Sequence, residues 1–260
     1  MPVVGGVFAA LIVVYLIVMI PIWRLPAVPE VVYPNGFGVK VLVIDPGHGG
    51  ENEGARTWWG EREKARNLRY ARALKRRLEA TGRWVVHLTR DEDRDLPNSE
   101  RPLIANAFHA DLYLCLHANA NAPDLTQRGF AVIWYLAQED AERSHRFADV
   151  MAASLAAAGL TPDRTMGRPF MVRHANPDTA PAYALTHDTL PVYVRERIDH
   201  RMVYPATMPA ILIETHYLTD LGEATRFTTK AMTDHVVRAL EAGLVGFLTT
   251  NRDVDGVPHS

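Results

Sequence analysis

His48, Glu63, His117 and Glu214 are the residues whose types and settings could together perform hydrolytic chemistry. His48 lies in DPGHGG (45–50), where Pro46 and Gly47 let the backbone present an imidazole from a tight turn. Glu63 opens EKARNL, a helical segment, four residues before Asn67, so the two share a helix face. His117 closes the apolar stretch DLYLCLH, and Glu214 closes ILIE, where an uncompensated carboxylate would be expensive. Each residue alone has an ordinary structural reading. The helix dipole accounts for an acid in a first turn, and a histidine at a strand end is commonly a hydrogen-bonded core residue. Jointly, two imidazoles and a carboxylate around an open position form a catalytic zinc arrangement, and a further glutamate can take a proton from an activated water. The lone cysteine, Cys115, excludes an intrachain disulfide framework and a cysteine-based zinc cluster, so a metal here needs His and carboxylate ligands. Cys115 itself reads as a buried strand residue.

The elements that must position these residues follow from hydrophobic periodicity. VKVLVID (39–45) reads as a strand buried on both faces, and 63–80 as a helix with Leu68, Ala71, Leu74 and Leu78 as its apolar stripe. Further strands are expected at 84–89, 111–117, 130–136 and 210–214, and further helices at 99–108, 141–158 and 228–247. Strands alternating with helices imply an α/β domain, a mostly parallel or mixed sheet covered on both faces. In such sheets, sites collect at the carboxyl ends of strands. His48, His117 and Glu214 each fall at or just after such an end.

The order and local settings of the motifs also resemble a family. DPGHGG, EKARNL, the passage LTRDEDRDLPNSERPLIAN, LHANA and MPAILIETHYLTD together resemble the zinc-dependent N-acetylmuramoyl-L-alanine amidases of the AmiC-like type, over about Lys40 to Phe247. The resemblance implies a single three-layer domain with a central mixed sheet. It further implies that His48, Glu63 and His117 hold Zn2+, that Glu214 is the general base and acid, and that the substrate is peptidoglycan, cut between N-acetylmuramic acid and L-alanine. Ionised Glu63 and neutral histidines would be required for metal binding, so activity should fall in acid. Asp45, Asn67 and His216 are candidates beside the site. Asp45 would orient His48 or simply form the turn, and His216 would line the cleft, hydrogen-bond Glu214 or serve structure. After this glutamate the family usually has a Gly-Phe or similar small-aromatic pair, whereas Thr215, His216 and Tyr217 follow here. Two rival readings of function are a domain that binds the wall polymer without cutting it, and a zinc peptidase on a related fold.

Composition supplies the remaining expectations. A formal net charge of -2 gives no drive toward nucleic acid. Residues 1–23 carry no charged side chain and are long and apolar enough for a transmembrane anchor, with a cleaved signal peptide as the rival. Residues 24–38 are rich in proline and glycine and suit an extended spacer, 39–249 the catalytic domain, and 250–260 a disordered tail. A wall substrate puts the domain on the periplasmic side of the inner membrane, whereas Arg24 and Lys40 just after the apolar run favour the opposite orientation. The stretch 167–207, with His174, His187 and His200, reads as a long loop insertion. The basic helix 62–77 suits a solvated face or contact with an anionic polymer. Trp58 and Trp59 would stack on a sugar ring or pack their own loop. No regulatory protein can be named from the sequence.

Overall fold

The computed structural model describes residues 25–135, 140–163, 172–175 and 206–250. In chain order it contains β1 (Lys40–Pro46), α1 (Glu63–Glu79), β2 (Trp84–Leu88), α2 (Arg101–Ala107), β3 (Leu112–Asn119) and β4 (Ala131–Tyr135). These are followed by α3 (Ala141–Ala157), β5 (Val172–Ala175), β6 (Ala210–Tyr217), α4 (Leu221–Arg226) and α5 (Lys230–Thr250). One six-stranded sheet has the order β2-β1-β3-β6-β4-β5. β2, β1, β3 and β6 are mutually parallel, β4 is antiparallel to β6, and β5 is parallel to β4. The sheet is therefore mixed, with a parallel half whose carboxyl ends share one edge.

Strand alternation divides the core in two. Leu42, Ile44, Leu112, Leu114, Leu116, Ile211 and Ile213 face the larger layer. There they meet Ala71, Leu74 and Leu78 of α1, Phe147 and Met151 of α3, and Val236, Leu240 and Leu244 of α5. The opposite face, with Val43, Tyr113, Cys115 and Leu212, is covered by Ala105 of α2 and by Ala206 and Met208. The apolar stripe read from the sequence of α1 is buried throughout, because a helix crossing over a sheet must turn its apolar side inward.

Three expectations are corrected or extended. Residues 25–38 do not stand off as a spacer. Phe37 is buried beside Trp84, with Leu25, Val28, Val31 and Tyr33 packed on the same core. Tyr33 also donates to buried Glu241 at 2.7 Å and accepts from Trp84 Nε1 at 3.0 Å. The stretch 167–207 contributes the edge strand β5, and the short helix α4 follows β6. The apolar run 1–23, the tail 251–260, and His174's loop neighbours His187 and His200 lie outside the described residues. No helix among the described residues is long and apolar enough to cross a membrane.

Candidate metal centre

The parallel half of the sheet delivers the candidate residues to one edge. His48 follows β1 directly, and His117 lies near the end of β3. Glu214 of β6 is paired with His117 in register, so the two side chains leave neighbouring strands side by side. Glu63 comes from the first turn of α1, which starts at that same edge because it carries the chain over from β1. The result is a buried cluster in which one ligand atom each of His48, Glu63 and His117 lies within 4.8 Å of the others. Glu63 bridges the imidazoles, with Oε2 3.0 Å from His48 Nε2 and Oε1 3.0 Å from His117 Nδ1. The rings stand edge to face, 4.7 Å apart.

Two glycines make this approach possible. A Cβ on Gly47 would stand 2.0 Å from His117 Nε2, so the ring occupies the space that any other residue's side chain would take. Gly54, at φ +66°, would put a Cβ 2.6 Å from Glu63 Oε2 and 2.7 Å from His48 Cδ2. His48 itself adopts φ 63°, an uncommon conformation for a non-glycine residue. The turn is held in it by two buried arginines. Arg90 donates to the carbonyls of Pro46 (2.8 Å), Gly47 (2.9 Å) and Lys64 (2.9 Å). Arg101 donates to the carbonyl of His48 (3.0 Å) and to Asp45 Oδ1 (2.7 Å).

The donor set fits a divalent cation. Asn52 Oδ1 accepts from Gly54 N at 3.3 Å and lies 2.8 Å from His48 Nδ1, so that nitrogen carries the ring proton. A neutral His48 then turns the lone pair of Nε2 toward a carboxylate oxygen, an arrangement that calls for a proton or a cation between them. Burial opposes charge on Glu63, but the imidazoles of His117 and His48 facing it hold its carboxyl well below the usual carboxylate range. It also accepts from Ala55 N at 3.0 Å and Ala118 N at 3.1 Å. Burial lowers the pKa of His117, against the opposing pull of Glu63, which favours the neutral, ligating form.

With this geometry in place, comparison with known proteins is decisive. A family model described as N-acetylmuramoyl-L-alanine amidase (Amidase_3) matches residues 42–245. The chain belongs to the N-acetylmuramoyl-L-alanine amidase family. Among curated members of this amidase family it is 28% identical over 208 residues to LytC of Bacillus subtilis, covering 80% of this chain and 35% of that protein. It is 27% identical over 231 residues to AmiC of Neisseria meningitidis, covering 81% and 53%. The chain thus spans about a third to a half of the length of these amidase relatives. The solved catalytic domain of the amidase CwlV from Bacillus (Paenibacillus) polymyxa var. colistinus superposes with a TM-score of 0.62 at 26% identity, covering 81% of this chain and 99% of that one.

Within the amidase domain the residues expected beside the site have distinct fates. Asn67 donates to Glu63 Oε1 and to Gly47 O, both at 3.3 Å, and so joins the helix to the turn. Asp45 reaches His48 through Arg101. It accepts hydrogen bonds from Thr89, Arg101, Tyr113 and Cys115. Burial pushes its pKa up, but the Arg101 charge and the Thr89 and Tyr113 hydroxyls outweigh this and lower it to about 2. His216 does not line a cleft. It is fully buried, stacked on Phe227 with ring centroids 4.1 Å apart. Its Nε2 accepts from Arg66 at 2.7 Å, so its Nδ1 donates to Thr215 Oγ1 (2.9 Å), whose hydroxyl in turn donates to His117 O (3.1 Å). Burial and the Arg66 charge depress the His216 pKa strongly, in keeping with a neutral structural ring.

Sequence reasoning assigned no role to Asn52, Arg90, Arg101 or Thr215. The two arginines lie inside the family-like passage 88–106, which was the available signal. The basic face of α1 is largely engaged within the fold. Arg62 pairs with Glu53, Arg66 and Arg69 with Glu61, Lys75 with Glu79, and Arg77 with Glu241. Burial raises the Cys115 thiol well above its ordinary value, so it stays protonated in the core.

Proposed function

We propose that this chain hydrolyses the amide between N-acetylmuramic acid and L-alanine in peptidoglycan, with His48, Glu63 and His117 holding a zinc ion. The observation that carries the reading is the convergence of two imidazoles and a carboxylate in a buried cluster at the edge of a domain belonging to this amidase family. When bound, zinc supplies Lewis-acid polarisation of the scissile carbonyl and makes a neighbouring water more acidic. The chain's own residues do the rest. Glu214, held beside His117 by strand register, takes the proton of the attacking water and hands it to the departing amine. Asn67, Asn52 and the arginine-clamped turn keep the ligands in place, which spares the site that reorganisation during turnover. Peptidoglycan lies outside the cytoplasmic membrane, so the reading puts the domain in the cell envelope, and the uncharged run 1–23 supports a membrane tether.

The test is Glu214→Gln, assayed for zinc content and for release of peptide from purified wall sacculi. The variant is expected to keep its zinc and lose about 10² to 10⁴ in turnover. Near-normal turnover would refute the role given to Glu214. Zinc-loaded wild-type protein that releases no peptide would refute the amidase reading and leave a wall-binding module.

A further inference from the structure

The loop between the first two ligands ends in an aromatic pair that the chemistry above does not use. Trp58 is 73% exposed and Trp59 39%, whereas the other described tryptophans, Trp84 and Trp134, are buried. Trp58 therefore leaves most of its ring to solvent. The two rings stand edge to face, 5.4 Å apart, and the Arg66 guanidinium lies 5.9 Å from the Trp59 ring. That guanidinium is itself fixed by Glu61, His216 and the carbonyl of Ala224. The pair is thus held in place from beneath while its outer surface meets water.

The backbone ties this tip to the metal cluster. Gly60 N donates to Thr57 O at 3.0 Å, closing a tight turn over Trp58 and Trp59, and Thr57 N donates to Glu61 O at 3.0 Å. Arg56 and Arg62 face each other across the two arms. At the base, Glu63 N donates to Ala55 O at 2.9 Å and Ala55 N to the Glu63 carboxylate at 3.0 Å. Trp58 lies three positions beyond Ala55, so their Cα atoms are at most about 10 Å apart. An indole exposed on a hairpin whose base is bonded to Glu63 contributes little to the fold, since burying it in the core would stabilise far more. Its value lies in pre-paid ordering toward something that binds.

We propose that Trp58, backed by Trp59, is a subsite for a sugar ring of the glycan strand; this rests on the amidase reading above. The surroundings select that ligand class. The two arms that carry the indole hold Arg56 and Arg62, which face each other and both pair with Glu53, so the apolar tip has a charged rim at its base. A pyranose matches it, with a C–H face for the ring and hydroxyl and amide groups at its edge for the guanidiniums and the carboxylate. A lipid surface or an apolar helix would leave that rim desolvated and unsatisfied.

The test uses glycan strands stripped of their stem peptides, made of alternating N-acetylglucosamine and N-acetylmuramic acid. Binding to the full chain is followed by tryptophan fluorescence and by equilibrium sedimentation, and peptide-bearing strands are used for kinetics. Wild-type protein is expected to bind the stripped strands with a shift in emission. Trp58→Ala should weaken binding at least tenfold and raise KM on peptide-bearing strands by a similar factor, with kcat within twofold and an unchanged melting temperature. Trp58→Phe should recover part of the binding. Stripped strands bound equally well by Trp58→Ala would overturn the subsite while leaving the amidase reading intact. Stripped strands bound through Trp58 by a protein that releases no peptide would sustain the subsite and sink the amidase reading. Loss of vesicle binding in Trp58→Ala with strand binding unchanged would overturn the subsite in favour of a lipid contact.

Discussion

Gly47→Ala isolates the packing on which the metal cluster depends. The added methyl would lie 2.0 Å from His117 Nε2, 2.2 Å from Cε1 and 2.6 Å from Cδ2, where ordinary contact begins at 3.4 Å. The imidazole would have to retreat by about 1.4 Å, the difference between 3.4 and 2.0 Å, whereas metal–ligand distances tolerate about 0.2 Å. The turn cannot yield instead, because Arg90, Arg101 and Asn67 hold the carbonyls of residues 46–48. The ring's own escape is limited by Glu63 at 3.0 Å and by the edge of His48. Zinc affinity should fall by at least about 100-fold, the upper end of what perturbing a ligand's supports usually costs. Overpacking should add a stability loss of about 1–3 kcal/mol. Competition against a chromogenic chelator reads the first quantity and chemical denaturation the second. Gly246→Ala is the control, since its new methyl meets Val150 Cγ1 only at 3.4 Å inside α5. A Gly47→Ala protein that binds zinc within threefold of wild type at unchanged stability would show that the His117 ring does not sit where it is described.

Further outcomes follow from the groups around the cluster. Asn67→Ala removes the link between α1 and the turn, and zinc affinity measured by the same chelator competition should drop by about 10- to 100-fold; an unchanged value would assign Asn67 to packing alone. Asp45 has its pKa depressed from 3.8 to about 2, so its stabilisation is fully present above pH 4 and is lost as pH falls toward 2. At about 1.4 kcal/mol per unit this is on the order of 2 kcal/mol. Denaturation at stepped pH should show that loss in wild type, while Asp45→Asn should be less stable at neutral pH and flatter across this window; parallel pH curves for the two proteins would contradict the assignment. Arg66→Met strips the donor from buried His216 and one of two partners from Glu61, and should destabilise by about 1–3 kcal/mol, as leaving a buried acceptor unsatisfied does. A melting temperature within a degree of wild type would mean that Arg66 is not the buried link between α1 and β6.

Much of the architecture was legible because burial writes a simple pattern. VKVLVID is apolar throughout since β1 is covered on both faces, and Leu68, Ala71, Leu74 and Leu78 repeat at helical spacing since one side of α1 meets the sheet. β5 escaped notice because four residues at a sheet edge, within a stretch rich in proline and polar residues, are too few to show alternation. α4 is only six residues long, yet its start was written in the sequence, for Asp220 accepts from Glu223 N as an N-cap. At the site, residue type marked the four residues together, with an expected strand end behind His48, His117 and Glu214 and a helix start behind Glu63. Arg90 and Arg101 could not be found that way, because arginine is ordinarily a surface residue. Their task exists only once a turn more than forty positions upstream has folded onto them. His216 misled for the opposite reason: two positions after Glu214, it would share that residue's face in a regular strand, but β6 carries an extra residue where Asn119 pairs with Tyr217 after His117 pairs with Glu214, and this bulge breaks the alternation.

The buried contacts of residues 25–38 redraw the border of the smallest autonomous piece of this protein. A truncation beginning at residue 39, the limit that composition suggests, would remove Phe37 from beside Trp84 and Tyr33 from between Trp84 and Glu241. It would also release Glu30 from Arg77 and Arg238. Such a fragment would keep every residue of the metal cluster yet begin life with a gap in the wall of helices behind it. Any shortened version intended for crystals or assays should therefore start ahead of Leu25, so that the strap travels with the body it fastens.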